Sequence, residues 1–89
     1  MDKKNFAFLV EMFFPAIMTN REPFKGEVKA VSAYNKLGKF TVLPQHINFI
    51  TLIFKEITIH TLKKEKISYQ FEKGILIVKK NRVSIFLGV

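Results

Sequence analysis

The chain has no cysteine and no tryptophan, and only four glycines, three prolines and two histidines. Without cysteine there is no disulfide to staple a small fold and no thiolate to hold a metal, a composition that fits a reducing compartment. Two histidines and seven carboxylates leave few routes to acid–base or nucleophilic catalysis. Ser68 and Ser84 stand in no G-x-S-x-G elbow, and the glycines at 26, 38, 74 and 88 are too scattered to cradle a phosphate. His46 and His60 would need a carboxylate brought to both before they could ligate a metal, and their spacing does not supply one. His60 reads instead as a mid-strand histidine with a satisfied ring nitrogen. Catalytic, cofactor and metal sites are therefore not expected. Long apolar runs are also lacking. Phe6 to Phe14 is broken by Glu11 and falls far short of the roughly 20 residues that span a bilayer. Lys3 and Lys4 ahead of it imitate a signal peptide, but the charge within the run and the missing A-x-A pattern argue against export.

What is present is apolar and basic. Eighty-nine residues make one small domain, which buries on the order of 60% of its unfolded surface on folding. Apolar residues make up 48% of it and ten are Phe, so either the core is unusually aromatic or another protein completes it. The net charge of +8 comes from thirteen Lys and two Arg against seven acids. Nucleic-acid readers lean on Arg, so this balance speaks softly against them. The alternative of a small basic β-barrel binding single-stranded nucleic acid needs aromatic rings exposed along a basic groove, with Tyr34 and Tyr69 as candidates.

Short β-branched runs separated by turn residues predict an all-β fold, a sandwich or barrel. The run from Phe6 reads as a buried first strand or a short packed helix, with a docking segment as the sharper possibility. Ala16 to Thr19 is expected as a strand and Asn20 to Pro23 as a turn. From Phe24 to Tyr34 the alternation slips between Val28-Ala30 and Val31-Ala33, which predicts a bulge. Lys39 to Leu43 is a short strand that Pro44 must end. This leaves His46 on an exposed corner, where it can face a partner. Phe49 to Phe54 is apolar on both faces, Lys55-Glu56 breaks it, and strands follow at 57–62, 67–72, 74–78 and 83–87. Turns are expected at 63–65, 72–74 and 79–82. In such a meander the first and third turns share an end, gathering Lys63, Lys64, Lys66, Lys79, Lys80 and Arg82 as solvated turn side chains that discourage edge pairing or, alternatively, for an acidic partner.

Three motifs in order carry a resemblance over Phe24 to Leu87. Phe24-Lys25-Gly26-Glu27-Val28 is similar to an F-S-G-E-V strand. Leu43-Pro44-Gln45-His46-Ile47-Asn48 keeps the Leu, Pro and His of an L-P-G-H-A-P corner. Gly74 to Leu87 follows G-G-I-L-E-V-x-x-N-x-V-x-V-L with matching spacing. Together they resemble the N-terminal β-sandwich domain of the ε subunit of F-type ATP synthases, named δ in mitochondria. The resemblance implies a small antiparallel β-sandwich over 14–89, with 1–13 as an N-terminal apolar extension. It also implies a non-catalytic rotor component that docks on a γ-like central-stalk subunit, within a hetero-oligomer containing α/β-type ATPase subunits. No cofactor and no nucleic acid are implied, and the place is cytoplasmic, at the inner face of a membrane. Carried over by position, Pro44, His46 and the adjacent Phe49 become partner-binding candidates, with Lys39 beside them.

Several positions depart from the pattern. Gln45 replaces the corner glycine and Asn48 the second proline, so the corner must be built differently. Lys39 stands where the family often has an acidic residue facing the c ring, which puts contact with the ring in doubt. The family usually continues into a C-terminal helical hairpin that inhibits ATP hydrolysis. This sequence ends at Val89, so the resemblance carries no such activity onto it.

Overall fold

The computed structural model describes residues 6–14 and 22–88, all strands and turns. The expected strand at 16–19 lies outside these residues. Six strands form in order: β1 (Phe8–Phe13), β2 (Lys25–Asn35), β3 (Gly38–Val42), β4 (Phe49–Thr61), β5 (Lys66–Lys79) and β6 (Arg82–Leu87). The sheet order is β1-β6-β5-β4-β2-β3, and β1 also pairs with β2. That last pairing closes five strands into a barrel-like ring, with β3 attached along β2. All neighbours are antiparallel except β1 and β6, which run parallel. The N-terminal run, expected as an extension ahead of the sandwich, contributes β1 to this ring. Its Phe8, Val10 and Met12 are core residues.

The expected turn at 72–74 and the expected break at Lys55-Glu56 are absent because β4 and β5 are single long strands. β4 continues through Lys55, which takes a positive φ of 74°, and β5 continues through 72–74. The pairing jumps from Phe54↔Lys73 to Lys55↔Phe71, so Glu72 is an extra residue in a bulge. Side chains alternate with period two, so an extra residue reverses which positions face inward. On β5 the buried positions accordingly change from Tyr69 to Gly74, Leu76 and Val78, while on β4 Ile53, Ile57 and Ile59 stay in phase. β2 does the same at Lys29. Val28 is buried before the slip and Val31 and Ala33 after it, as the broken alternation predicts. Each bulge bends its strand while keeping apolar side chains on the core side.

The continuity of β5 overturns the basic cluster expected at one end. Residues 62–65 and 80–81 cap opposite ends of one 14-residue strand, so the meander argument does not bring their lysines together. The core is aliphatic: Val10, Val28, Val31, Ile53, Ile57, Ile59, Leu76 and Ile85 are fully buried, with Phe14, Phe24, Phe40, Phe49 and Phe71 packed around it.

Gly74 sits where β5 passes closest to its neighbours. A Cβ placed there would stand 2.7 Å from the Phe86 carbonyl oxygen and 3.3 Å from Ile53 Cγ1. The Phe86 carbonyl is backbone held in a ladder, so β6 itself would have to shift. Gly74→Ala is expected to destabilise the fold by about 1–3 kcal/mol, the usual cost of overpacking. Denaturant titration at unchanged m-value checks this.

Candidate functional site

The corner is a tight turn. His46 N–H donates to the Leu43 carbonyl (3.2 Å), with Pro44 at the second position and Gln45 at φ 63° in the third. This is the pattern of a type II turn, in which the third residue needs positive φ and glycine is favoured. Gln45 occupies that left-handed position with a side chain, at a cost of about 1–2 kcal/mol. Neighbouring groups offset it. Gln45 N–H donates to Asn81 Oδ1 at 2.6 Å, and Lys80 N–H donates to Asn48 Oδ1 at 2.9 Å. The corner is thus stitched to the β5–β6 hairpin, whose Lys80 and Asn81 both have positive φ, as a two-residue I′ turn requires. Asn81 reaches further. Its Nδ2 donates to the Ala7 carbonyl at 3.0 Å and its carbonyl accepts from Leu9 N–H at 3.4 Å. One asparagine therefore ties the corner, the last hairpin and the start of β1 around an open cleft of ≈ 660 Å³.

The predicted residues fall close together but unequally exposed. His46 is half-buried; its Nδ1 lies 2.9 Å from the Ile47 carbonyl oxygen and its ring 5.0 Å from that of Phe49. Phe49 in turn meets Phe40 edge-on at 6.1 Å, against the core. Pro44 is half-buried, and Lys39 is exposed on β3 beside Phe40. The more accessible side chains here are ones the motif did not single out: Leu43, Ile47 and Ile50, at 56%, 77% and 66% exposure. Leu43 and Ile47 flank the Pro44–His46 turn and lie outside the strands of the structure, β3 ending at Val42 and β4 starting at Phe49.

The two outer faces of the sheet differ in kind. Across β4, β5, β6 and β1 one row reads Leu52, Ile75, Phe86 and Phe13, with the last two rings stacked at 4.8 Å. The neighbouring row reads Ile50, Ile77, Ser84 and Glu11, apolar at its β4 and β5 end. Across β3, β2, β4 and β5 the corresponding row is Thr41, Ser32, Thr58 and Ser68. Hydroxyl pairs link Thr41 to Ser32 and Thr58 to Ser68, each at 3.1 Å, and His60 Nε2 lies 3.0 Å from Ser32 Oγ. The first face is apolar and open; the second satisfies itself. His60 is the satisfied strand histidine expected from its position. Tyr69, a stacking candidate for nucleic acid, is 6% exposed and packs edge-on against Phe14, so it offers no ring to a base.

The model of the ATP synthase delta/epsilon chain beta-sandwich domain matches residues 12–88. The chain belongs to this family. Among solved structures, a chain of the Euglena gracilis mitochondrial ATP synthase (OSCP, F1 and c-ring, rotational state 1) superposes with a TM-score of 0.75 at 17% identity, over 91% of this chain and 50% of that one. A chain of the Tetrahymena thermophila mitochondrial ATP synthase central stalk and c-ring gives 0.71 at 11% identity, over 91% and 63%. At these identities the likeness is one of fold, and the chain spans half to under two thirds of each neighbour. No curated protein sequence matches it. Within this family fold, Gln45 and Asn48 keep the corner by recruiting the β5–β6 hairpin, so the corner survives without its glycine and second proline.

Asn81→Ala removes the acceptor for Gln45 N–H and the donor to Ala7, and puts alanine in a left-handed position. A loss of about 2 kcal/mol is expected, together with faster amide exchange at Gln45. Burial, then the charges of Lys66, Lys29 and Lys39, lower the His60 pKa from 6.5. A base with a depressed folded pKa binds its proton more weakly folded than unfolded. Its contribution is therefore present above pH 6.5 and lost as pH falls from there through the folded pKa. His60→Gln is expected to flatten the fall in Tm as pH drops below 6.5, measured by thermal melts of both chains.

Proposed function

We propose that this chain is a non-catalytic central-stalk subunit of an F-type or F-type-like rotary ATPase, held by a γ-like subunit and transmitting torque or stabilising the stalk. The observation that carries this is a family β-sandwich with apolar side chains exposed on its corner and along one outer row. That surface comprises Leu43 and Ile47 on the corner and the row through Leu52, Ile75, Phe86 and Phe13. Surfaces of this kind mark protein contacts, because water is released when they are covered. The contact site takes in Lys39, Pro44, His46 and Phe49, with Leu43 and Ile47 as the side chains that reach furthest. A torque-bearing part must also resist shear, and a closed strand ring pinned in register by bulges provides that stiffness.

In this reading α/β-type ATPase subunits belong to the same complex, and its place is peripheral to a membrane. Contact with a c ring is not part of it, because Lys39 presents a positive charge there. The test is co-purification from the host with a tag on the chain. A coiled-coil γ-like protein arriving with α/β-type ATPase subunits is the expected result. Leu43→Asp with Ile47→Asp should reduce that recovery about ten-fold or more at unchanged Tm, since both side chains are exposed. Recovery of nucleic acid alone, or of no protein, overturns the proposal.

A further inference from the structure

The outer face of the β5–β6 hairpin ends in a pair of like charges. Lys79 stands directly opposite Arg82, and two residues further along the same face Ile77 stands opposite Ser84. Facing residues of a ladder have Cβ atoms about 5 Å apart, and like charges held there repel. Lys80, the first residue of the turn, brings a third cation to the same tip. All three are exposed, and none forms an ion pair among the described residues. The backbone that presents them is held in place. Lys80 N–H donates to Asn48, and Asn81 bonds both Gln45 and Ala7.

These side chains border a recess. Ile77, Lys79, Lys80, Arg82 and Ser84 line ≈ 350 Å³ of open space, at the small end of the range for ligand sites. Lys80 and Arg82 also line the ≈ 660 Å³ cleft beside the corner, so two of the cations are common to both spaces. No carboxylate lines the smaller recess. Glu11 is the closest in the sheet: it lies beside Ser84 on β1, but its carboxylate meets Lys25 on its other side at 3.8 Å. Glu27 is separated from Arg82 by Leu9 and lines the larger cleft. Glu72 is the nearest acid along β5, about 23 Å of strand from Lys79. Glu22, Glu56 and Glu65 lie by the half of β5 that precedes Glu72.

We propose that the recess at the β5–β6 tip binds a phosphate group carrying two negative charges, held by Lys79, Lys80 and Arg82. Arg82 offers a planar fork that meets two oxygens at once, while each lysine acts as a point charge. The Ser84 hydroxyl donates to a further oxygen. A carboxylate brings one charge and two oxygens, too few for three cations and a hydroxyl, whereas a phosphate monoester brings nearly two charges and three oxygens. A phosphodiester carries a single charge, which disfavours nucleic acid. Binding also offsets the repulsion between Lys79 and Arg82, so occupancy raises stability. Soluble phosphate compounds and the headgroup of phosphatidic acid share this chemistry. The site goes beyond docking on a stalk subunit and does not rest on it, because only the hairpin and its neighbours form it.

The test titrates the whole chain with inorganic phosphate at about pH 8, against sodium chloride of equal ionic strength. Thermal melts and amide chemical shifts read the binding. Phosphate should raise Tm beyond chloride, with the shifts concentrated at 79–84. Lys79→Gln/Arg82→Gln should weaken binding about ten-fold or more. Lys63→Gln/Lys64→Gln removes the same charge at the opposite end of β5 and should leave binding within about three-fold. Dimethyl phosphate, with one charge, should bind about ten-fold more weakly than phosphate. Sedimentation with phosphatidylcholine vesicles, with and without phosphatidic acid, then separates the sources. Phosphate binding without sedimentation assigns the site to a soluble compound. Sedimentation that needs phosphatidic acid and fails in Lys79→Gln/Arg82→Gln assigns it to the headgroup. Neither a Tm gain over chloride nor phosphatidic-acid-dependent sedimentation, equal binding of dimethyl phosphate or of a glutamate peptide, or equal loss in both double variants overturns the proposal. The stalk reading is untouched by these results, being read from co-purification alone.

Discussion

The barrel depends on a constraint of side-chain parity. A strand that bends from one side of a barrel to the other must keep its apolar residues inward, yet its side chains alternate strictly along the chain. Glu72 on β5 and the slip at Lys29 on β2 each insert one residue at the bend. Ile53, Ile57, Ile59, Tyr69, Leu76, Val31 and Ala33 then all reach one core. Without these insertions, half of β5 and half of β2 would turn apolar side chains to water. The closure through β1–β2 follows from the same bends, because they bring the start of β2 back to the other edge of the sheet.

Closure at the corner is a separate matter of hydrogen bonds. Gln45 in a left-handed conformation is unfavourable alone, and Asn81 and Asn48 make it tolerable by satisfying backbone donors from two segments. Removal of Asn81 unties the Gln45 N–H and the Ala7 carbonyl at once beside an already strained turn, which is why a single side chain has leverage over the corner, the last hairpin and β1 together. The positions that differ from the family pattern are therefore accommodated by a residue that the pattern shares, the asparagine of the β5–β6 turn.

The two outer faces divide the labour of the surface. Thr41, Ser32, Thr58, Ser68 and His60 bond one another and leave little for a partner to improve. The opposite face presents Phe13, Phe86, Ile75, Leu52 and Ile50, apolar side chains that gain when water leaves, with Ser84 and Glu11 in the row beside them. The abundance of Phe in so short a chain follows from this division. Several of the rings pad the rim of an aliphatic core or lie on the outside, so the aromatic content describes the surface as much as the interior.

The all-β class, the turn at the corner, the β2 bulge and the family were legible in the sequence, because each rests on local chemistry. Alternation shows in the order of residues, Pro44 cannot continue a strand, and the Gly74 to Leu87 motif has a spacing of its own. The expected breaks at 55–56 and 72–74 were wrong for a physical reason. Charged residues and a glycine mark a departure from regular geometry, but a turn and a bulge use the same residue types. Only pairing across strands distinguishes them, and pairing is not local. The same limit applies to the site. Pro44 and His46 could be placed on a corner from sequence, while the exposure of Leu43, Ile47 and Ile50 depends on which neighbours fold over them. The bare edge of β4 is the plainest case. Its composition reads as an interior strand, and only the tertiary arrangement leaves one side of it without a partner strand among the described residues.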